Sequence, residues 1–245
     1  MTVTIRRYDG EKEFLQEYTV DNRGQTLLEM LKEIKSQDDS SLTFRHSCGS
    51  GICGSCSVRI DGRPVLACRH KPVGDTIIVE PLQSFEVLRD LVVDETPLVD
   101  KQRRARAALS PKETLSPSAD NRAGYARQAT CIECASCYSA CPVMVTDPEF
   151  IGPYVLTKNL RYLLDEREAA EADKLAAIQT KGVWDCILCG DCAMACPMGI
   201  NSKMDISILQ SKSMAAGHTN PNAHSFGGGF GGGFGSFDGF TPSFS

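Results

Sequence analysis

The chain has 245 residues, with 26 Lys and Arg against 31 Asp and Glu, a formal net charge of −5. That length accommodates two domains of ordinary size, each with a modest core. The mild acidity argues against nucleic acid, which asks for a clustered basic face, and no run approaches the roughly 20 apolar residues of a membrane helix.

Residues 2–8 alternate in the manner of a strand, and Phe14 to Val20 form a second after a turn at Asp9–Gly10. Arg6–Arg7 is followed by Tyr8, Asp9, Glu11, Lys12 and Glu13 where an export signal would have its apolar core, so no signal is expected. Thr26 is placed to cap a helix whose apolar face is Leu27, Leu28, Leu31 and Ile34. A glycine-rich cysteine loop follows at 48–56. Ser57 to Ile60 and Pro64 to Ala67 then form a hairpin about Asp61–Gly62, with a last strand at Thr76 to Glu80. These elements predict an α+β, ferredoxin-like domain over residues 1–85. Residues 86–130 are expected to link the halves, with a short helix through Phe85, Val87, Leu88, Leu91 and Val92 and a polar surface loop from Ser110 to Arg122.

The second half is helical by pattern and is expected to form an all-α domain over 131–210. Leu156, Leu160, Leu163 and Leu164, then Ala169 to Ile178, mark amphipathic helices. The charge run Asp165 to Glu168 is expected on the wet face of a helix, and Trp184 is expected to serve packing. From Gly217 to Ser245 a Gly- and Phe-rich composition cannot bury a core and predicts a flexible tail. Its phenylalanines, Phe226, Phe230, Phe234, Phe237, Phe240 and Phe244, are either functionless or adhesive toward a partner or membrane surface.

Cysteine is the outlier, with twelve in the chain. Disulfides belong to exported or very small domains, and the spacings here favour metal. Cys48-x4-Cys53-x2-Cys56, with Cys68 returning from the hairpin, is the plant-type 2Fe–2S spacing. Gly49, Gly51 and Gly54 let that loop turn tightly and bring amides near the sulfurs with no Cβ in the way. Cys131-x2-Cys134-x2-Cys137-x3-Cys141-Pro142 recurs as Cys186-x2-Cys189-x2-Cys192-x3-Cys196-Pro197. In two-cluster ferredoxins the fourth cysteine of each run ligates the other cluster. Cys131, Cys134, Cys137 and Cys196 should therefore hold one 4Fe–4S centre, and Cys141, Cys186, Cys189 and Cys192 the second. Zinc also accepts Cys-x2-Cys pairs, but it leaves the third cysteine and the Cys-Pro ending unexplained. His46 and His70 flank 2Fe–2S ligands in an ordinary polar loop role or as tuning groups, while His218 and His224 lie in the tail. No dinucleotide-binding glycine fingerprint or Walker loop is present, and none of the four histidines is placed like a nucleophile's partner.

The order of the two cluster domains resembles the iron–sulfur subunit of the succinate dehydrogenase/fumarate reductase family. The resemblance covers about residues 2–210 and extends to Arg45-His-Ser-Cys-Gly-Ser-Gly-Ile-Cys-Gly-Ser-Cys56, Leu88-Arg-Asp-Leu-Val-Val-Asp94 and Asp147-Pro-Glu-Phe-Ile-Gly-Pro153, with Arg161, Asp165 and Arg167 on a matching helix. It implies a FAD-containing flavoprotein partner that interconverts succinate and fumarate, a membrane-anchor or cysteine-rich partner, and quinone as an indirect acceptor. It also implies a peripheral membrane position, on the cytoplasmic face unless a partner exports the complex. Members with a 3Fe–4S third centre lack a cysteine where Cys189 stands, so the third cluster is expected to be 4Fe–4S here, and 3Fe–4S without Cys189. Val143-Met-Val145 and Ile187 replace a Trp and a His usual in quinone-binding members. That pattern points to the subgroup whose cysteine-rich subunit replaces the cytochrome anchor. The alternatives are a subunit of another flavin dehydrogenase, a thiol-linked fumarate reductase, or a free-standing ferredoxin.

Overall fold

The computed structural model describes residues 1–112 and 116–221, so the predicted tail lies outside the described residues beyond its first five positions. Strands β1 (Thr2–Tyr8) and β2 (Glu13–Thr19) form an antiparallel hairpin with Val3 opposite Tyr18. After helix α1 (Leu27–Gln37) come β3 (Ser57–Ile60), β4 (Arg63–Leu66) and β5 (Thr76–Glu80). β5 lies parallel to β1, giving the order β2-β1-β5-β3-β4, a β-grasp sheet. Alternation turns Val3, Ile5, Val58, Ile60, Ile77 and Val79 inward against Leu27, Met30, Leu31 and Ile34 of α1. Thr26 starts that helix with a full capping box: its hydroxyl accepts from Glu29 N at 3.3 Å, and the Glu29 carboxylate accepts from Thr26 N at 2.7 Å.

The helix expected through Phe85–Val92 is instead a second small hairpin, β6 (Val87–Arg89) and β7 (Val92–Val93). Its turn residue Asp90 takes a left-handed φ of 46°. A tertiary contact decides this. Arg7 occupies the next inward register after Val3 and Ile5 and is buried, with its Nε donating to the Asp90 carboxylate at 2.7 Å. Thr43 N donates to the same carboxylate at 2.8 Å, and Asp90 N returns a bond to Tyr8 O at 2.9 Å. Asp39, Gln16, Tyr18 and Ser41 take the remaining guanidinium donors. Local apolar spacing loses to this buried network.

Residues 86–130 are more than a connector. They carry α2 (Thr96–Arg104) and α3 (Ala119–Ala129), and Val93, Leu98, Ala105 and Ala107 join the second core. Helix α3 begins inside the stretch expected to be loop, because Ser118 caps it by accepting from Asn121 N at 3.1 Å. Then come α4 (Ser136–Ser139), α5 (Pro142–Thr146), α6 (Pro153–Leu163), α7 (Glu171–Ala177), α8 (Asp191–Met194) and α9 (Ser202–Ala215). The apolar helix α6 is the hub, packed against α9, α3, α2 and α7.

The charge run after α6 is not a wet helical face. Asp165 and Glu168 are buried in a turn. Arg167 grips Asp165 through two bonds of 2.8 and 2.7 Å, and the buried ammonium of Lys174 meets Glu168 at 3.3 Å. Buried carboxylates of this kind need paired cations to offset desolvation.

The Arg7–Asp90 pair makes a direct prediction. Removing one partner of a buried ion pair strands the other, so Asp90→Ala should lower unfolding stability of the loaded protein by about 3 kcal/mol or more. Denaturant titration showing a loss below about 1 kcal/mol would mean that Asp39 alone satisfies Arg7.

Candidate metal centres

The first site is the loop between α1 and β3. Gly49 and Gly51 hold left-handed φ values of 67° and 75°, which folds the backbone back over the Cys48 sulfur. The amides of Ser50, Ile52 and Cys53 then lie 3.3, 3.4 and 3.4 Å from Cys48 Sγ. These donors, Ser50 foremost, bring the Cys48 thiol down to about 6. A second pair of contacts surrounds Cys53 Sγ, with Cys48 N at 3.5 Å and Ser55 Oγ at 3.1 Å. Cys56 immediately precedes β3 and Cys68 follows β4; both are buried, and burial pushes the Cys56 thiol up to about 11. Amide donors converging on sulfur fit a negatively charged sulfur-rich group, and coordination deprotonates even the buried thiols outright.

The two repeated runs fold alike. Glu133 and Ala135 hold φ values of 56° and 59°, and at the same places in the second run Leu188 and Gly190 hold 54° and 98°. Left-handed backbone at a non-glycine residue costs about 1–3 kcal/mol and survives only where its surroundings enforce it. Here it turns amides toward sulfur: Leu188 N lies 3.4 Å from Cys186 Sγ, and the Glu133 amide serves Cys131 in the same way. Each run ends in a four-residue helix, α4 or α8, and these two short helices pack against each other.

That packing delivers the fourth cysteine of each run to the other. Cys131, Cys134, Cys137 and Cys196 line a single recess together with Tyr154, Thr157 and Pro197. Burial foremost, then repulsion from Cys134, Cys131, Cys192 and Cys196, holds the Cys137 thiol well above its ordinary range, and burial lifts Cys131 to about 11. The second set is coupled in the same way. Burial pushes Cys192 to about 12, with Cys186, Cys141 and Cys189 adding repulsion. Burial also raises Cys141 and Cys186, which feel Cys189 and, in the case of Cys186, Cys141. Among the described residues no three His, Cys, Asp or Glu side chains converge on one point as the ligands of a single ion would. Thiols distributed around a recess suit a polynuclear group whose irons take one thiolate each.

Two neighbours of these sites were not legible as such. Lys101 is buried, donates to Phe150 O at 2.7 Å and to Pro148 O, and lies 5.5 Å from the Tyr138 ring centre. Tyr138 itself is fully buried between Cys137 and Cys141 in sequence, stacked near Phe85 and Tyr154 at 6.2 Å each. Only its position inside the first cysteine run signalled it. Trp184 packs as expected, its Nε1 donating to Gln179 at 2.7 Å. His46 stacks near Phe44 at 5.6 Å, and burial lowers the pKa of His70. No helix among the described residues is long and apolar enough to cross a membrane.

Fold and sites together define an iron–sulfur electron-transfer protein, a β-grasp 2Fe–2S domain joined to a helical domain with two further clusters. Residues 2–100 match the 2Fe–2S iron–sulfur cluster binding domain, and residues 127–200 the 4Fe–4S dicluster domain. The chain is 36% identical over 219 residues to the fumarate reductase iron–sulfur subunit of Mycobacterium tuberculosis, covering 82% of this chain and 87% of that one. It is 32% identical over 235 residues to the 8-methylmenaquinol:fumarate reductase iron–sulfur subunit of Wolinella succinogenes, covering 89% and 74%. A chain of the Mycobacterium smegmatis Sdh1 complex in the apo form superimposes with a TM-score of 0.80 at 25% identity, covering 88% and 95%. The chain belongs to the family of succinate dehydrogenase and fumarate reductase iron–sulfur subunits.

Metal analysis checks the cluster count. Protein purified without oxygen should contain about ten iron and ten acid-labile sulfide per chain. Stoichiometric zinc with only two or three iron would reduce the helical half to a zinc-bound scaffold.

Proposed function

We propose that the chain carries electrons between a FAD-containing flavoprotein, which holds the dicarboxylate site, and a membrane-linked partner that reacts with quinone. Three centres supply the one-electron chemistry: a 2Fe–2S centre on Cys48, Cys53, Cys56 and Cys68, and two 4Fe–4S centres. Cys131, Cys134, Cys137 and Cys196 hold the first of these, and Cys141, Cys186, Cys189 and Cys192 the second. The observation that carries the assignment is the shared recess of Cys131, Cys134, Cys137 and Cys196, in which a cysteine of the second run completes the first. The domain division at 1–85 and 131–210 belongs to the same reading, with 86–130 as a folded bridge between the two.

The protein's own groups do three things toward that chemistry. Backbone amides at Ser50, Ile52, Cys53 and Leu188 stabilise negative charge on sulfur. The apolar packing of Tyr138, Tyr154 and Ile151 keeps water from the interior side of the cubane sites. The fixed ammonium of Lys101, held by two carbonyls, places positive charge near Cys141.

The subgroup with an extra cysteine in the last motif, anchored by a cysteine-rich partner at the cytoplasmic face, fits the sequence best. Cys189 supports it, as do Ile187 and Val145, both exposed where the quinone-binding pattern has other residues.

Cys189 is the test. Thiolates retain cubane irons, and Cys189 is the sole ligand proposed for one corner of the second centre. Cys189→Ser or Cys189→Val should convert that centre to a 3Fe–4S form, with a new signal in the oxidised protein by electron paramagnetic resonance. The reduced-state signal of the other cubane should persist. A stoichiometric 3Fe–4S signal in the unsubstituted, anaerobic protein would remove Cys189 from the ligand set.

A further inference from the structure

The 2Fe–2S loop meets the first cubane loop at Gly54, beside Cys53 and Ser55. It is buried, and its φ of 73° lies in the left-handed region. A Cβ placed there would stand 2.6 Å from Ile132 O, 2.9 Å from Cys134 Cβ and 3.0 Å from Cys134 Cα. The first of these is backbone, which cannot swing aside. Ile132 and Cys134 also pack against the core of the N-terminal half, so the approach belongs to a closed interface. Ser57 Oγ donates to Gly54 O at 2.9 Å and pins the glycine at this contact. Gly49 gives the contrast within the same loop. It too is left-handed, at 67°, yet a Cβ there meets nothing within 4 Å. Chain reversal therefore explains Gly49, whereas Gly54 has a second constraint imposed by the partner loop.

We propose that Gly54 is a positioning residue for electron transfer between the 2Fe–2S centre and the first cubane, setting the gap across which the two exchange an electron. One electron leaves one site and reduces the other, with no bond made or broken. Its rate falls exponentially with separation, so a few tenths of an ångström of forced displacement at this contact is felt directly. This rests on the assignment of Cys53 and Cys56 to one centre and Cys134 to another.

The test uses the full chain with its clusters assembled, comparing the parent with Gly54→Ala, Gly49→Ala and Ser57→Ala. Both glycine substitutions carry the same backbone strain, and only one carries the clash. Gly54→Ala should keep its iron content and both reduced-state signals, yet show slower spin relaxation of the 2Fe–2S signal in the presence of the reduced cubane. The rate of electron equilibration between the two centres should fall measurably below the parent's. Gly49→Ala should retain parental coupling. Parental relaxation and rate in a fully loaded Gly54→Ala protein would overturn the proposal, as would equal losses in both glycine variants. If Gly54→Ala fails to load its 2Fe–2S centre, Ser57→Ala decides: weakened coupling supports the proposal and parental coupling overturns it. Failure of the ligand assignment is distinguishable, because it shows as an unchanged first-cubane signal in Cys134→Ser.

Discussion

In the proposed ligand assignment the helical half depends on one exchange: each cysteine run gives its fourth thiol to the other run's site. Cys196 reaches the recess of Cys131, Cys134 and Cys137, while Cys141 joins the set around Cys186 and Cys192. On that assignment neither site is complete without the other, and the contact between α4 and α8 with the helices that support it would act as one cooperative unit. The thiols resist this grouping on their own. Burial and mutual repulsion raise Cys137, Cys141, Cys186 and Cys192, a penalty that coordination by iron removes. The left-handed residues Glu133, Ala135 and Leu188 belong to the same balance.

The N-terminal half solves a similar problem by a different route. Its loop is shaped by glycines and by amides aimed at Cys48 and Cys53, over a core that α1 and the five-stranded sheet build from ordinary apolar alternation. The Arg7–Asp90 network fastens the β6–β7 hairpin to the edge of that core. From this hairpin the chain passes into the second core through Val93 and Leu98. The contact of the two cluster loops at Gly54 is thus held from both sides.

Much of this was legible in the sequence because its signals are local. Period-2 strands and the Thr26 capping box act within a few residues, and the strands and first helix follow them closely. The misreadings fall where distant partners decide. Phe85–Val92 has helical apolar spacing, but Asp90 is claimed by Arg7, more than eighty residues earlier, and a hairpin results. Asp165 to Glu168 looks like a solvated run, yet Asp165 and Glu168 are buried in a turn against Arg167 and Lys174. Lys101 and α2 gave no motif at all; their meaning comes from carbonyls at Pro148 and Phe150, which only the folded α6 region supplies.

The crossed assignment is the central claim, and locating the iron tests it most directly. An anomalous-difference map at the iron absorption edge, from crystals of protein kept free of oxygen, should show three separate iron sites per chain. One should sit among Cys48, Cys53, Cys56 and Cys68, one among Cys131, Cys134, Cys137 and Cys196, and one among Cys141, Cys186, Cys189 and Cys192. Iron held by four cysteines of a single run, with Cys141 beside Cys137 and Cys196 beside Cys192, would contradict the account.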